Sequence, residues 1–380
     1  MILEYFNSVN KNAVNFANRQ NSDQLGKKIG INGRDDFNNY SNINIVIFSI
    51  SEYRSEQSIQ KTFKADKDFR TKLYSLYVGN WNNKVFDLGN LVNGNELSDT
   101  NYALERIIDS FIKNKIFVIT IGGSQSLTYN LYSSIKSSLS SVNLVTVDNK
   151  LDFTKNNNVK DSYLSKIILD DDNKLNQFSN IGFQKHLTST KEIELVSKMK
   201  FESLSLGKVK SNVDEAEPIF RDSNLTSFDI RSVKSGDINN AHQYPNGFTT
   251  YEFCSLSRFS GSGSKSKVVS FFENWDFSIM NSLLAEAVWY VIDGFNSRFE
   301  ENPEDNNDNF VYYHIEVDSY KFKFYKSLIT GKWWVEFIKD ELISIEKDII
   351  SCTANDYYKC KNSIISERIL TRLKNKISWV

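Results

Sequence analysis

Four short apolar runs, each breaking off into a polar cluster, constrain this chain more than any other feature. IFVITI (116–121) runs into GGSQS, NLVTV (143–147) into DNKLD, the semi-polar LTSFDI (225–230) into Arg231, and KVVSFF (267–272) into ENWD. Runs of five or six residues rich in Val, Ile and Phe read as strands buried on both faces, which is what a parallel sheet demands. Helical periodicity lies between them. Leu127, Leu131, Ile135 and Leu139 recur every four residues, and SIMNSLLAEAVWYVIDGF (278–295) is a strongly apolar helix. Two earlier strands are INIVIFSI (43–50) and VFDLGNL (85–91). A helix over 99–112 follows, with Asp99 or Thr100 as N-cap and Leu104, Ile107, Ile108, Phe111 and Ile112 on its buried face. Alternating strands and helices predict a three-layer α/β/α domain on a mainly parallel sheet.

In such sheets ligands bind beyond the carboxyl ends of the strands. The polar clusters therefore predict one crevice, although they lie up to about 150 residues apart in sequence. Its candidate residues are Gln125, Asp148, Lys150, Asp152, Asp229, Arg231 and Glu273. Three segments are expected: a polar, asparagine-rich N-terminal stretch over 1–42, the α/β domain over 43–300, and a C-terminal α+β extension over 301–380 packed on it. In the extension, 311–327 and 332–338 read as neighbouring antiparallel strands joined by a turn at Gly331. The tail, 355–378, reads as one helix with Ile365, Ile369, Leu373 and Ile377 on a single face. Trp333 and Trp334 would face opposite sides of their strand, so at least one is packed rather than offered to a ligand.

Composition excludes several classes of function. Forty-six basic residues against forty-seven acidic ones leave a net charge of -1, with no excess to attract nucleic acid or an anionic membrane. No run approaches the roughly 18 apolar residues of a membrane span. MILEYFNSVN lacks the apolar stretch of a signal peptide, so a cytoplasmic protein is expected. Cys254, Cys352 and Cys360 are too scattered for a disulfide framework or a thiolate metal site and read as reduced thiols. His186, His242 and His314 fall outside every motif and read as ordinary polar residues. GGSQS lacks both the spacing and the lysine of a phosphate-binding loop.

Taken in order, GGSQS, VDNKLD, SFDIR and FFENWD resemble the motifs of the arginase, agmatinase and formimidoylglutamase family of ureohydrolases. There the corresponding positions carry GGDHS, DAHxD, SxDxD and a later glutamate. SFDIRSVKSGD and YPNGFTTYEFCSLSRFSGSG are most similar to a formimidoylglutamase-like branch. The resemblance implies the arginase-like fold and, in the family, two manganese ions held by four aspartates and two histidines. Their bridging hydroxide attacks an amidine or guanidine carbon. Carried over residue by residue, Gln125 stands for the first histidine and Lys150 for the second. Asp148, Asp152 and Asp229 are retained, Arg231 replaces the last aspartate, and Glu273 matches the substrate-binding glutamate.

Two of the three replacements are cations. Arginine has no lone pair to donate, and lysine donates only when deprotonated. Neighbouring carboxylates would keep Lys150 charged. The reading is therefore a lost binuclear site, closed by salt bridges from Lys150 and Arg231 to the aspartates, with no cofactor. A single Mn, Mg or Ca ion on Gln125, Asp148, Asp152 and Asp229 is the alternative, an all-oxygen set that suits those ions. No catalytic residue is assigned, Glu273 being kept only as the family's substrate-binding position. The expected role is a non-catalytic binding or scaffold protein. Its partner would be another protein or a small anionic or amidine ligand, and self-association into a homo-oligomer is admitted. The alternative is a hydrolase of linear amidine C–N bonds that uses a residual single-metal site.

Overall fold

The computed structural model of the chain describes residues 2–37, 40–55, 65–154, 162–239, 244–274, 278–305, 308–338 and 349–377. The first sheet is built from β1 (Phe6–Asn7), β2 (Gly30–Ile31), β3 (Ile45–Ser49), β4 (Val85–Leu91), β5 (Phe117–Ile121), β6 (Val142–Val147), β7 (Leu175–Phe183), β8 (Glu202–Ser205), β9 (Leu225–Asp229) and β10 (Val268–Phe272). The strand order is β1-β4-β3-β5-β10-β9-β6-β7-β8, with β2 beside β4. Every pairing is parallel except β1 with β4. The expected mainly parallel architecture is therefore the observed one.

Residues on the central strands alternate between two cores. Ile45, Ile47, Ile119, Val145, Phe228 and Phe271 pack with the helices Lys11–Asn18, Ala65–Ser75, Thr250–Ser262 and Ser278–Asn296. Val46, Phe48, Val118, Leu144, Leu225 and Phe272 pack with Leu97–Lys113, Thr128–Ser138 and Tyr163–Ile168. Burial on both faces explains why these strands are continuously apolar rather than alternating. The order matters for function: β5, β10, β9 and β6, the four strands that end in polar clusters, are consecutive neighbours.

Several boundaries differ from expectation. The helix predicted over 99–112 spans Leu97–Lys113 and is capped by Glu96, with Asp99 three residues on returning a carboxylate bond to the Glu96 N–H. Residues 311–327 are not one strand but a hairpin of β11 (Phe310–Val317) and β12 (Tyr320–Ser327), because Asp318 turns the chain at φ 54°. With β13 (Trp333–Ile338) and β14 (Ile349–Cys352) they make a second, antiparallel sheet, in order β11-β12-β13-β14. The tail is two helices, Ala354–Lys361 and Glu367–Ile377, separated at Ser363 by a left-handed residue. Trp333 and Trp334 do face opposite sides, yet both are buried. Trp333 lies under Tyr313 and Tyr357, while Trp334 lies beneath the Arg221 guanidinium, 4.4 Å from its ring centre.

The second sheet is held by polar contacts to the short helix Glu217–Arg221 and its C-cap, which lead into β9. Arg221 donates to the carbonyls of Trp333 and Cys352, and Asp222 accepts from the Ser351 N–H and hydroxyl. Burial pushes the Asp222 carboxyl up, but Lys265, Arg368, Arg372 and Arg221 outweigh it and hold the acid below its ordinary range. No described helix is long and apolar enough to cross a membrane.

Candidate functional site

The crevice begins with backbone shape. Gly122 and Gly123 follow β5 at φ 89° and 83°, a left-handed pair that turns the chain sharply before Gln125. Asp152 and Glu273 sit at φ 55° and 58°, a region that side-chain-bearing residues rarely adopt. The Glu273 N–H is tied to the Gly123 carbonyl at 3.1 Å, which links the ends of β5 and β10.

The sequence-predicted residues converge. The Gln125 side-chain amide donates to Asp148 at 2.8 Å, and its backbone N–H donates to Glu273 at 3.0 Å. The Arg231 guanidinium grips Asp229 through Nε at 2.8 and 3.0 Å and through Nη2 at 2.6 Å, while Nη1 lies 3.7 Å from Glu273. Asn149 donates to the Arg231 carbonyl at 3.0 Å, joining the ends of β6 and β9. Gln125, Asp148, Asp229 and Glu273 are all at most 3% exposed, and the Arg231 side chain is 34% exposed.

Lys150 departs from the expected salt-bridge closure. Its backbone N–H caps Asp148 at 2.9 Å, but its side chain is exposed and forms no ion pair among the described residues. Among the described residues, Arg231 is the cation paired with the acids of the crevice. The reason is directional: with the Lys150 N–H turned toward Asp148 and its carbonyl held by Asn180 at 2.8 Å, the side chain points outward.

Electrostatics follow from that arrangement. Burial, then Asp152 and Asp229, push the Asp148 carboxyl well up. Burial also raises Asp152, against the pull of Arg231, and its carboxyl is hydrogen-bonded to that of Asp148. Tyr163, buried beside Asp152, Asp148 and Asp229, is pushed well up by burial first and by those acids next. Burial opposes the charge on Arg231, but Asp229, Glu273 and Asp148 outweigh it, and the guanidinium stays protonated.

Sequence reasoning missed Asn180 and Tyr163. Asn180, on β7, holds Thr146 at 3.1 Å as well as the Lys150 carbonyl, and Tyr53 donates to the Asn274 carbonyl at 3.2 Å. A polar residue inside LNQFSNIGF was the available signal for Asn180. Trp275, Asp276, His242 and most of the loop after DNKLD lie outside the described residues. His186 and His314 are exposed and far from any motif in the sequence. Among the described residues, no three His, Cys, Asp or Glu side chains are arranged as a metal-binding group.

Comparison with known proteins fits this geometry. The model of the arginase family matches residues 52–267. No curated protein sequence matches the chain. Among solved structures, formiminoglutamase from Trypanosoma cruzi, determined with Mn2+, superposes with a TM-score of 0.63 at 16% identity, covering 73% of this chain and 99% of that one. Formimidoylglutamase from Bacillus subtilis gives 0.60 at 12% identity, covering 70% and 90%. Agmatine ureohydrolase from Thermoplasma volcanium gives 0.55 at 18% identity, covering 69% and 92%. At such identities the likeness to these structures is one of fold.

Proposed function

The chain belongs to the arginase family, and from that premise we propose that it is a non-catalytic member whose crevice binds without hydrolysing. The observation that carries this reading is the Arg231 guanidinium, which engages Asp229 through both oxygens and faces Glu273. A resident cation there repels a dication and occupies the carboxylate lone pairs that would ligate it. Two manganese ions therefore do not fit the residues present, and no hydrolytic step is derived through them. Purified protein equilibrated with excess MnCl2 and then desalted should carry no stoichiometric manganese by elemental analysis. It should also leave linear amidines unhydrolysed. Two bound ions, or metal-dependent turnover of an amidine, would overturn the proposal.

One observation favours a second reading. The Gln125 side-chain oxygen is buried beside Asp148 with no hydrogen-bond partner among the described residues. A buried acceptor left unmet costs about 1–3 kcal/mol, and a single oxygen-preferring ion held by Gln125, Asp148 and Asp152 would satisfy it. Such an ion would polarise a substrate oxygen or ionise a water. The same elemental analysis separates the two readings, since this one requires one ion per chain, lost in Asp148→Ala.

A further inference from the structure

Among the described residues, no strand pairs with the outer edge of the second sheet at β11. β11 is the longest edge strand of either sheet among the described residues, and it pairs only with β12. All of Phe310–Val317 are in register with β12, without a bulge. Natural edges are usually blunted by lysine, proline, a bulge or brevity. FVYYHIEV has no lysine, proline or bulge, and its one charged residue is Glu316.

Burial along β11 alternates but is incomplete. Tyr312, His314 and Glu316 are exposed on one face, and Val311, Tyr313 and Ile315 are only half-buried on the other. Tyr313 and Ile315 touch the core of the extension, where Tyr357 of the helix Ala354–Lys361 lies 4.9 Å from the Tyr313 ring. Among the described residues, the helical layer leaves Val311, Tyr313 and Ile315 only half covered. A strand added here would satisfy the free backbone groups and complete that layer.

We propose that a second copy of this chain adds its own β11, antiparallel, about a two-fold axis through His314. The register follows from side-chain chemistry. Centred on His314, Tyr313 meets Ile315 of the other copy and Val311 meets Val317 on the apolar face. On the outer face Tyr312 meets Glu316, so a phenol can donate to a carboxylate. Centring one residue earlier would instead set Glu316 against Phe310, which is buried and apolar. Aromatic and β-branched pairs of this kind are the favourable cross-strand contacts. The resulting dimer carries one continuous sheet, with the helices of both extensions on the same side. The extension lies beyond residues 52–267, so this contact is separate from the family-matched region.

The test uses the full chain. Sedimentation over a wide concentration range should show twice the chain mass at the upper end. His314→Cys should cross-link on mild oxidation, since residues opposed on the axis bring their Cα atoms within disulfide reach. The three native thiols are buried and do not interfere. His314→Lys, at an exposed position, places like charges on the axis and should raise the dimer dissociation constant several-fold, more at low salt. Two results overturn the proposal: wild-type chain mass at every concentration, or a dimer that His314→Cys fails to link and His314→Lys fails to weaken.

Discussion

Replacing Arg231 by aspartate tests the central claim about the crevice. The wild-type guanidinium contacts Asp229 at 2.6–3.0 Å, and Asp229 is 1% exposed. Removing one partner of a buried ion pair costs about 3–5 kcal/mol. The Arg231 side chain is 34% exposed, so water already screens part of the pair, and about 2–3 kcal/mol is the better expectation for its loss. For a chain of this size that corresponds to a fall of roughly 3 °C in Tm. Arg231→Asp also adds a carboxylate to Asp148, Asp152, Asp229 and Glu273, turning a compensated cluster into a cation trap. Manganese at about one hundred times its dissociation constant would return about 2.7 kcal/mol, nearly the whole deficit. Calorimetry in EDTA and in MnCl2 should therefore show a variant that melts early without metal and recovers with it, beside a wild type of nearly constant Tm. Arg231→Met should melt early and recover much less. A wild type raised by manganese as much as Arg231→Asp would refute the argument, as would a variant unaltered in EDTA.

Further predictions concern other regions. Asp222 titrates below its ordinary range in the folded state, so the stability it supplies is complete above about pH 4 and disappears as pH falls through the lowered folded value. Asp222→Asn should cost about 3 kcal/mol at neutral pH and flatten the acid limb of a Tm-against-pH curve; an unchanged limb counts against the role assigned to this acid. At Gly261 a Cβ would meet the Val291 carbonyl oxygen at 2.1 Å, so Gly261→Ala should force the helices Thr250–Ser262 and Ser278–Asn296 apart. About 1–3 kcal/mol of stability should be lost, read as a lower urea midpoint. Cys254, Cys352 and Cys360 are buried, and burial pushes the Cys254 and Cys360 thiols up to about 12 and about 11. An aromatic disulfide reagent should label none of the three in native protein and all three in denaturant. Rapid stoichiometric labelling of native protein would contradict that.

The sequence exposed the parts of the fold whose side chains obey one simple period. Ile116 to Ile121, Val142 to Val147 and Val268 to Phe272 are apolar because both faces are covered, and their reading as adjacent parallel strands matches the structure. β7 was hidden because Gln177, Ser179 and Asn180 are buried polar residues within it. The β11–β12 hairpin was hidden because its turn, Asp318 with Ser319, lacks the glycine that normally marks so tight a reversal. At the crevice, strand ends and residue types foretold which groups meet. The direction of the Lys150 side chain did not follow from them. It depends on backbone bonds to Asp148 and Asn180 that only the folded chain reveals.

The same bonds explain how the crevice keeps its shape without help from the Lys150 and Arg231 side chains. Asp152 and Glu273 are held in left-handed conformations that cost of order 1–3 kcal/mol each. The groups that hold them are backbone or second partners: the Asp152 carbonyl accepts from Ser162, the Glu273 N–H binds the Gly123 carbonyl, and its carboxylate accepts the Gln125 N–H. None of these contacts uses the side chains of Lys150 or Arg231. Strand ends in a parallel sheet are fixed by ladder bonds and by packing of the layers, which are indifferent to what faces the crevice. Side chains there can vary while the frame persists, so the fold by itself carries no information about the chemistry. That information lies in Arg231, whose guanidinium sets the charge that any ligand of the crevice must meet.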